Sequence, residues 1–595
     1  MRDTLADKII KVLQAIFSNL NSNETIALQF ERLAKESPEH PFLLFEDRRY
    51  SYVQSNALAN RHAHAYAALG VKKGDVVALV LENRPEFLWH FLGLNKIGAV
   101  ASLINSNISG DLLAHALRAC RPARIVVGSE VWENFAAVRA THADLRETPV
   151  DVDLDLAGAT SPEAAIWADR LCGASETNPI ESGRQRLLDG CALIYTSGTT
   201  GMPKPAIVNN CRIYRAGRLW SALAFRLRTS DILYNCLPLY HANAILLATG
   251  SVITSGATLA LARKFSPKRF WDDIRAHRAT SFVYIGELCR YLMNLPPGPG
   301  DRNHNVRVIS GNGLRNDIWQ QFQERFGIER ISEFYASTEG NAIAINTSNK
   351  PGSVGLMLPN VALVKWDNAR QDFVRDAKGF LIKCKTDEAG VLIGRIRQSR
   401  RIGKFTTPVS YEGYLDDEAT RRRIVRDVFR KGDAWFNTAD LLRRDKFKHL
   451  YFVDRLGDTF RWKGENVSTF EVQEQIAKWD AIKQVNVYGV QIPGAEGRAG
   501  MASIVLSNAH GFNPDGFKSH VDAVLPSYAR PLFVRLSNRI ETTSTLKMKK
   551  IALQKQGFDP DAIGEHVYFR HPDRDEYIRM TREIYRDICA RRLRV

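Results

Sequence analysis

The stretch Tyr195–Ala206, YTSGTTGMPKPA, decides how the rest of the chain is read. Thr196, Ser197, Thr199 and Thr200 set hydroxyls close together, and Gly198 and Gly201 let backbone N–H groups turn inward. Lys204 adds a positive charge, while Pro203 and Pro205 stiffen the exit. Clustered amides, hydroxyls and an ammonium suit close approach to a polyanion such as a triphosphate. The loop is not a Walker A motif: its glycines are too close together, and Lys204 is followed by Pro205 rather than Ser or Thr. The apolar run Cys191–Tyr195 reads as the strand that delivers it.

Working outward, strand-like and helix-like runs alternate. Val76–Leu81 reads as a strand, Pro85–Lys96 as a helix and Ala99–Ile104 as a strand. Arg124–Val127, Thr280–Ile285 and Val306–Ile309 continue the pattern, which argues for parallel sheets covered by helices, an α/β fold. From Gly352 to Tyr451 the strands shorten and glycines punctuate them, as in a small β-rich subdomain. A new unit begins near Asp454, dividing the chain into residues 1–454 and a smaller α+β part, 455–595.

The chain has 595 residues, too many for one core. Its net charge of +17 points to anionic partners: nucleotides, a coenzyme or acidic lipid. Nucleic acid is not among the expected partners, since no groove-binding motif or aromatic platform accompanies the charge. Eight cysteines lack CxxC or zinc spacing, which fits reduced thiols. No secretory signal is present. Ile9, Ile10, Leu13, Ile16, Phe17 and Leu20 form an apolar stripe beside Lys8 and Lys11, read either as packing against the body or as a membrane-surface helix. Ile232–Ala262 contains no Asp, Glu, Lys or Arg over 31 residues. Pro238, His241, Asn243, Gly250 and Gly256 break it into turn, helix, turn and strand, the pattern of a buried segment lining an apolar cavity rather than a span.

YASTEG, Tyr335–Gly340, places a ring, two hydroxyls and a carboxylate on one turn. A ring can stack on a purine, a threonine can bond a phosphate oxygen and a glutamate can hold Mg²⁺. In FNTADLLR, Asp440 can accept both hydroxyls of a ribose. DRLGD, 454–458, and TTSTLKMKK, with Lys547, follow in that order.

With IYTSGTTGMPKPAIV, YIGELCRYLMN, SGNGLR, EFYASTEGN and especially GDTFRWKGENVSTFEV, the chain resembles the adenylate-forming, acid-activating superfamily. Within it, the resemblance is to the very long-chain fatty-acyl-CoA synthetase and fatty acid transport protein family, and it runs from about Thr25 onward. It implies ATP-dependent ligation of a long or very long fatty acid to coenzyme A through an acyl-adenylate. Alternatives are a bile-type or aryl acid as substrate, or fatty-acid uptake with secondary ligase activity. The resemblance assigns Thr196 to Lys204 to the β- and γ-phosphates. Gly311, Asn312, Gly313, Tyr335, Ala336 and Ser337 would border the nucleotide, Thr338 would meet the α-phosphate and Glu339 would bind Mg²⁺. Asp440 and Arg455 would hold the ribose. His241 would sit beside the reacting carboxylate, Lys547 would be catalytic, and Gly464 would leave a passage for pantetheine.

The chain departs from the pattern in three places. Thr438-Ala439-Asp440 stands where TGD is usual, Gly457 where Asp or Lys is usual at the hinge, and Thr545-Leu546 before Lys547 where Ser-Gly is frequent. Basic clusters at Arg395–Arg401 and Arg421–Lys431 serve coenzyme A phosphates, an anionic membrane or simply a solvated face. The expected location is cytoplasmic, with a peripheral hold on the inner face of a membrane.

Overall fold

The computed structural model describes residues 24–154, 162–197, 202–367, 370–397, 400–402, 405–407, 411–463, 465–495, 497–507, 511–542, 548, 550–593 and 595. The amphipathic stripe at Ile9–Leu20 lies outside these residues, as do Gly198–Gly201, Gly464 and Lys547.

Strands β1 (Pro41–Phe45) and β2 (Arg48–Ser51) form a hairpin. Then come β3 (Val76–Val80), β4 (Val100–Leu103), β5 (Arg124–Gly128), β6 (Val150–Asp153), β7 (Gly190–Ser197) and β8 (Pro203–Asn209). They form a six-stranded sheet in the order β6-β5-β3-β4-β7-β8, parallel except for the antiparallel edge strand β8. A second sheet uses β9 (Ile232–Asn235), β10 (Thr258–Leu261), β11 (Ser281–Ile285), β12 (Val308–Asn312), β13 (Arg330–Ala336) and β14 (Ile343–Ile345). Its order is β14-β13-β12-β11-β9-β10-β1-β2, with β13, β12, β11, β9, β10 and β1 all parallel. The interior strands are buried without alternation, as SFVYI in β11 is, because helices cover both faces.

The helix Pro85–Ile97 shows how local sequence sets the elements. Pro85 opens it, where a missing N–H costs nothing, and Gly98 ends it in the left-handed region at φ 78°. All thirteen of its residues are buried, Glu86, His90, Asn95 and Lys96 included, so it packs on every side rather than along one stripe.

Strands within residues 355–455 form an antiparallel six-stranded sheet that includes Ala434–Arg444 paired to His449–Arg455. A separate apolar core gathers Phe460, Val487, Met501, Phe533 and Phe569 under the five-stranded sheet that begins at Ile482–Val490. The two cores meet where Arg315 donates to the Glu474 carbonyl at 3.3 Å and Gln484 donates to the Tyr291 hydroxyl at 3.2 Å.

Two expectations need correcting. The exit of the 195–206 loop, expected to be stiffened by its prolines, is itself a strand, β8, pairing Thr196 with Lys204. Pro203 and Pro205 are tolerated because β8 is an edge strand. The run Ile232–Ala262 opens on a strand, β9, and its helical part starts as a π-helix, Asn243–Thr249, before Gly250–Ser255 continues as α. Among the described residues no helix is long and apolar enough to cross a membrane.

Candidate active site

Four distant pieces of chain converge beside the β7–β8 hairpin. The segment around Tyr414 lies along β8: the Ile207 N–H donates to the Gly413 carbonyl at 3.0 Å, and the Leu415 N–H to the Pro205 carbonyl at 2.9 Å. Glu412 accepts from Arg212 at 2.8 Å and from Asn209 at 2.9 Å. Arg212 in turn donates to the carbonyls of Ser337, at 3.1 Å, and Gly340. One guanidinium therefore fastens the YASTEG turn to the strand leaving the glycine loop. The Tyr414 hydroxyl donates to Glu339 Oε1 at 2.8 Å, and Glu339 is only 8 % exposed. Burial beside that carboxylate pushes the Tyr414 phenol up, so it stays a donor. Ser337 Oγ is buried without a protein hydrogen-bond partner among the described residues. Thr338 is half-buried and Ala336 exposed on the same turn.

The SGNGLR loop is held by a residue that motif reading missed. Glu333, in β13 two residues before Tyr335, is buried at 2 % exposure. Its carboxyl accepts from the Tyr284 hydroxyl, from the Gly313 N–H and, at 3.2 Å, from the Leu314 N–H. Close packing fixes the glycines here: a Cβ on Gly286 would fall 1.6 Å from the Gly313 carbonyl oxygen. Asn312 accepts from Asn243 at 2.8 Å, which ties the loop to the turn carrying His241. His241 is half-buried with its ring 4.7 Å from that of Tyr240.

Burial pushes the Glu333 carboxyl from its usual 4.5 to about 8. A pKa higher in the fold than in the unfolded chain stabilises fully below 4.5, and that stabilisation is lost as pH rises through 8. Glu333→Gln, which carries no charge, is expected to flatten the fall in stability between pH 5 and 8, measured by denaturation midpoints across that range. Equal pH slopes in both proteins would remove this assignment. Glu333→Ala frees the loop and is expected to raise the KM for ATP about tenfold, with little change in that for the acid.

Tyr335 and Asp440 meet directly, the phenol donating to Oδ2 at 2.6 Å. Asp440 and Arg455 are cross-strand partners, with Arg455 Nε 3.8 Å from Asp440 Oδ1. Ala439 has φ 59°, in the left-handed region. The Asn437 side chain accepts its N–H at 2.9 Å, and Thr438 Oγ1 accepts that of Asp440 at 3.1 Å, so the turn is held despite its Cβ. Glycine suits this conformation better. Ala439→Gly is expected to raise unfolding stability by about 0.5–1 kcal/mol, seen as a higher denaturation midpoint; an unchanged or lower one would show no strain there.

Just before Arg455, buried Asp454 accepts from the Thr469 N–H at 2.6 Å and its hydroxyl at 3.1 Å. Burial raises its carboxyl, and Lys550 opposes that rise. Lys550 bonds Thr469 Oγ1 at 2.7 Å and Asp458 at 3.1 Å, so the strip after Lys547 is anchored beside Gly457.

The cleft thus combines hydroxyls, a fixed carboxylate and a Tyr–Asp pair at the carboxyl ends of β7, β12 and β13, where open α/β sheets bind nucleotides. The profile of the AMP-binding enzyme family matches residues 30–382, and that of the AMP-binding enzyme C-terminal domain matches residues 471–547. The chain is 40 % identical to the medium/long-chain-fatty-acid–CoA ligase FadD6 of Mycobacterium tuberculosis, covering 96 % of this chain and 93 % of that one. It is 39 % identical to long-chain fatty acid transport protein 2 of Rattus norvegicus, covering 96 % and 92 %. Its fold matches the crystal structure of the anthranilate CoA ligase AuaEII in complex with anthranoyl-AMP, with a TM-score of 0.74 at 20 % identity over 89 % of this chain and 96 % of that one. A Mycobacterium tuberculosis fatty acyl CoA synthetase matches with a TM-score of 0.62 at 24 % identity, covering 89 % and 98 %. The chain belongs to the AMP-binding, adenylate-forming enzymes, in the branch that holds the fatty-acid CoA ligases and long-chain fatty acid transport proteins.

Proposed function

We propose that the chain joins a long- or very long-chain fatty acid to coenzyme A in two steps. In the first, a carboxylate oxygen bonds to the α-phosphorus of ATP and pyrophosphate leaves, giving an acyl-adenylate. In the second, the coenzyme A thiolate attacks the acyl carbon and AMP leaves. The observation that carries this reading is the junction of Glu339–Tyr414 with Arg212–Glu412, which draws the glycine hairpin and the YASTEG turn into one cleft. The names of the fatty-acid ligase and transport relatives support the acyl substrate.

In this reading Thr196–Lys204 enfold the β- and γ-phosphates, and Gly311–Gly313 with Tyr335 border the adenine. Asp440 and Arg455 take the ribose, and Thr338 meets the α-phosphate. Glu339 would hold Mg²⁺, which offsets charge on the departing phosphates. The site fits that ion: Mg²⁺ commonly takes one or two carboxylates and completes its shell with phosphates and water, and the unpartnered Ser337 Oγ leaves a further oxygen in the same turn. His241 orients the acid. Residues 1–454 bind ATP and acid, and residues 455–595 turn about Gly457 to bring first Lys547 and then the Gly464 passage to the site.

The relatives named as transport proteins favour a second reading, uptake with ligation secondary. A panel of acids differing in chain length, assayed for pyrophosphate release and CoA thioester, separates them. Ligation is expected to peak on long acyl chains. No fatty-acid-dependent pyrophosphate would overturn the ligase reading, and release only with aryl or bile-type acids would overturn the substrate.

The basic surplus supports a peripheral hold on a membrane face. Salt or alkaline carbonate should then strip the protein from membranes, whereas release by detergent alone would contradict it.

A further inference from the structure

Parallel strands put all their amino ends at one edge, and in the second sheet that edge is unlike the catalytic one. The connections entering β9, β11 and β12 carry Arg228, Arg278, Arg302 and Arg307, and Arg330 opens β13. Ile274, Arg275, Arg278, Arg302, Asn303, His304 and Asn305 line a half-open cavity of about 330 Å³ with no carboxylate in its lining. The nearby acids are already engaged: Asp272 with Arg275, Asp301 with Arg325, and Asp231 with Arg307. Arg228, Arg278 and Arg302 are exposed, against the exposed carboxylates Glu324 and Glu329.

A hairpin tip continues this edge. Asn349, whose side chain accepts the N–H of Ile331 in β13 at 2.9 Å, is followed by Lys350, paired with Asp445 at 2.6 Å. Next to Asp445, Phe447 stands 65 % exposed between Lys446 and Lys448, which are exposed too. The Met357 N–H donates to the Lys448 carbonyl at 2.8 Å, which brings Leu356 and Leu358, 42 % and 43 % exposed, alongside the tip. Large apolar groups among lysines, at the β13 end of the arginine-bearing edge, match the two layers of an anionic lipid surface: apolar groups below the headgroups, cations among the phosphates.

We propose that this edge and the Lys446–Lys448 tip form one docking face for an anionic phospholipid bilayer. The arginine cavity takes a lipid phosphate and Phe447 enters the interfacial layer. This rests on the peripheral-membrane reading above and names its surface. The opposite edge, with Gly311–Gly313 and Tyr335 at the strands' carboxyl ends, then faces away from the lipid charge, where ATP can enter without crossing it.

The test is co-sedimentation with vesicles of phosphatidylcholine, with and without one-fifth phosphatidylserine, alongside pyrophosphate release on detergent-dispersed fatty acid. Wild type should bind the phosphatidylserine vesicles in a salt-sensitive way and the neutral ones weakly. The double change Arg278→Glu with Arg302→Glu should lower binding about tenfold or more. Phe447→Ser, at an exposed tip where folding is not at stake, should lower it severalfold. Both should leave pyrophosphate release within about twofold of wild type. Arg421→Glu with Arg422→Glu, in the other basic cluster, should bind like wild type. Absence of wild-type binding overturns the peripheral reading and the face together. Wild-type binding that survives both Phe447→Ser and the arginine reversals overturns the face alone, as does its loss in the Arg421/Arg422 protein. Binding of inorganic phosphate without binding to vesicles also overturns it.

Discussion

Replacing Glu339 by glutamine is expected to slow fatty-acid-dependent pyrophosphate release by about tenfold or more, a loss of roughly 1.4 kcal/mol of transition-state stabilisation. Glutamine keeps the shape and keeps an oxygen for the Tyr414 hydroxyl, whose 2.8 Å bond fixes the present carboxylate. What disappears is the negative charge, at a buried position where charge is poorly screened. In the proposed metal role, that charge is required while the phosphates separate, because a cation held there would offset the charge that builds on the leaving group. The loss should fall on kcat rather than on the KM for the fatty acid. Tyr414→Phe keeps the charge but frees the carboxylate to rotate, so its effect should be smaller, about threefold. Adenylation near the wild-type rate in the glutamine protein would remove Glu339 from the metal role. A larger loss in the phenylalanine protein would make positioning, not charge, the decisive property.

What could be read from the chain was what local chemistry dictates. Apolar runs such as Ser281–Ile285 announce buried parallel strands, and the helix Pro85–Ile97 carries its own start and stop signals. The loops at 195–206, 311–313 and 335–340 were visible because their compositions are specialised for close approach. Residues that act through distant partners were not visible. Glu333 looks like an ordinary strand carboxylate until the fold brings Tyr284 and the Gly313 amide to it. Arg212 and Glu412, 200 positions apart, show nothing singly and clamp the cleft together. Arg84 is fully buried among Asp153, Glu86 and Glu130, a charge that sequence alone would place at the surface. Ala439 read as a small departure from glycine; its positive φ shows the backbone kept the conformation while the side chain changed. The β8 strand is not legible because prolines argue against a strand until the edge position excuses their missing donors.

Lys547→Ala is expected to abolish adenylation while sparing the second half-reaction. Attack of a carboxylate on ATP brings two anions together, so an ammonium at the α-phosphate lowers the barrier electrostatically. In the proposed mechanism that charge has no further task once the acyl-adenylate exists, and the lysine would leave. The architecture around the hinge suits such a departure. Lys550, three residues on, is anchored to Asp458 and Thr469, on the same side of the Arg455–Asp458 turn as the small core. The contacts between the two cores include hydrogen bonds from Arg315 to the Glu474 carbonyl and from Gln484 to Tyr291, which a rotation would exchange. The alanine protein, given synthetic acyl-adenylate and coenzyme A, should form thioester within about threefold of the wild-type rate. If Gly464 has the proposed pantetheine role, Gly464→Leu should do the opposite, adenylating normally and failing at thioester formation by about a hundredfold. Weakening the contact between cores by Gln484→Ala should leave adenylation and thioester formation each within about twofold. Equal damage to both half-reactions in Lys547→Ala would mean that the lysine supports the fold or both steps alike, and the division of labour between two domain orientations would fall with it.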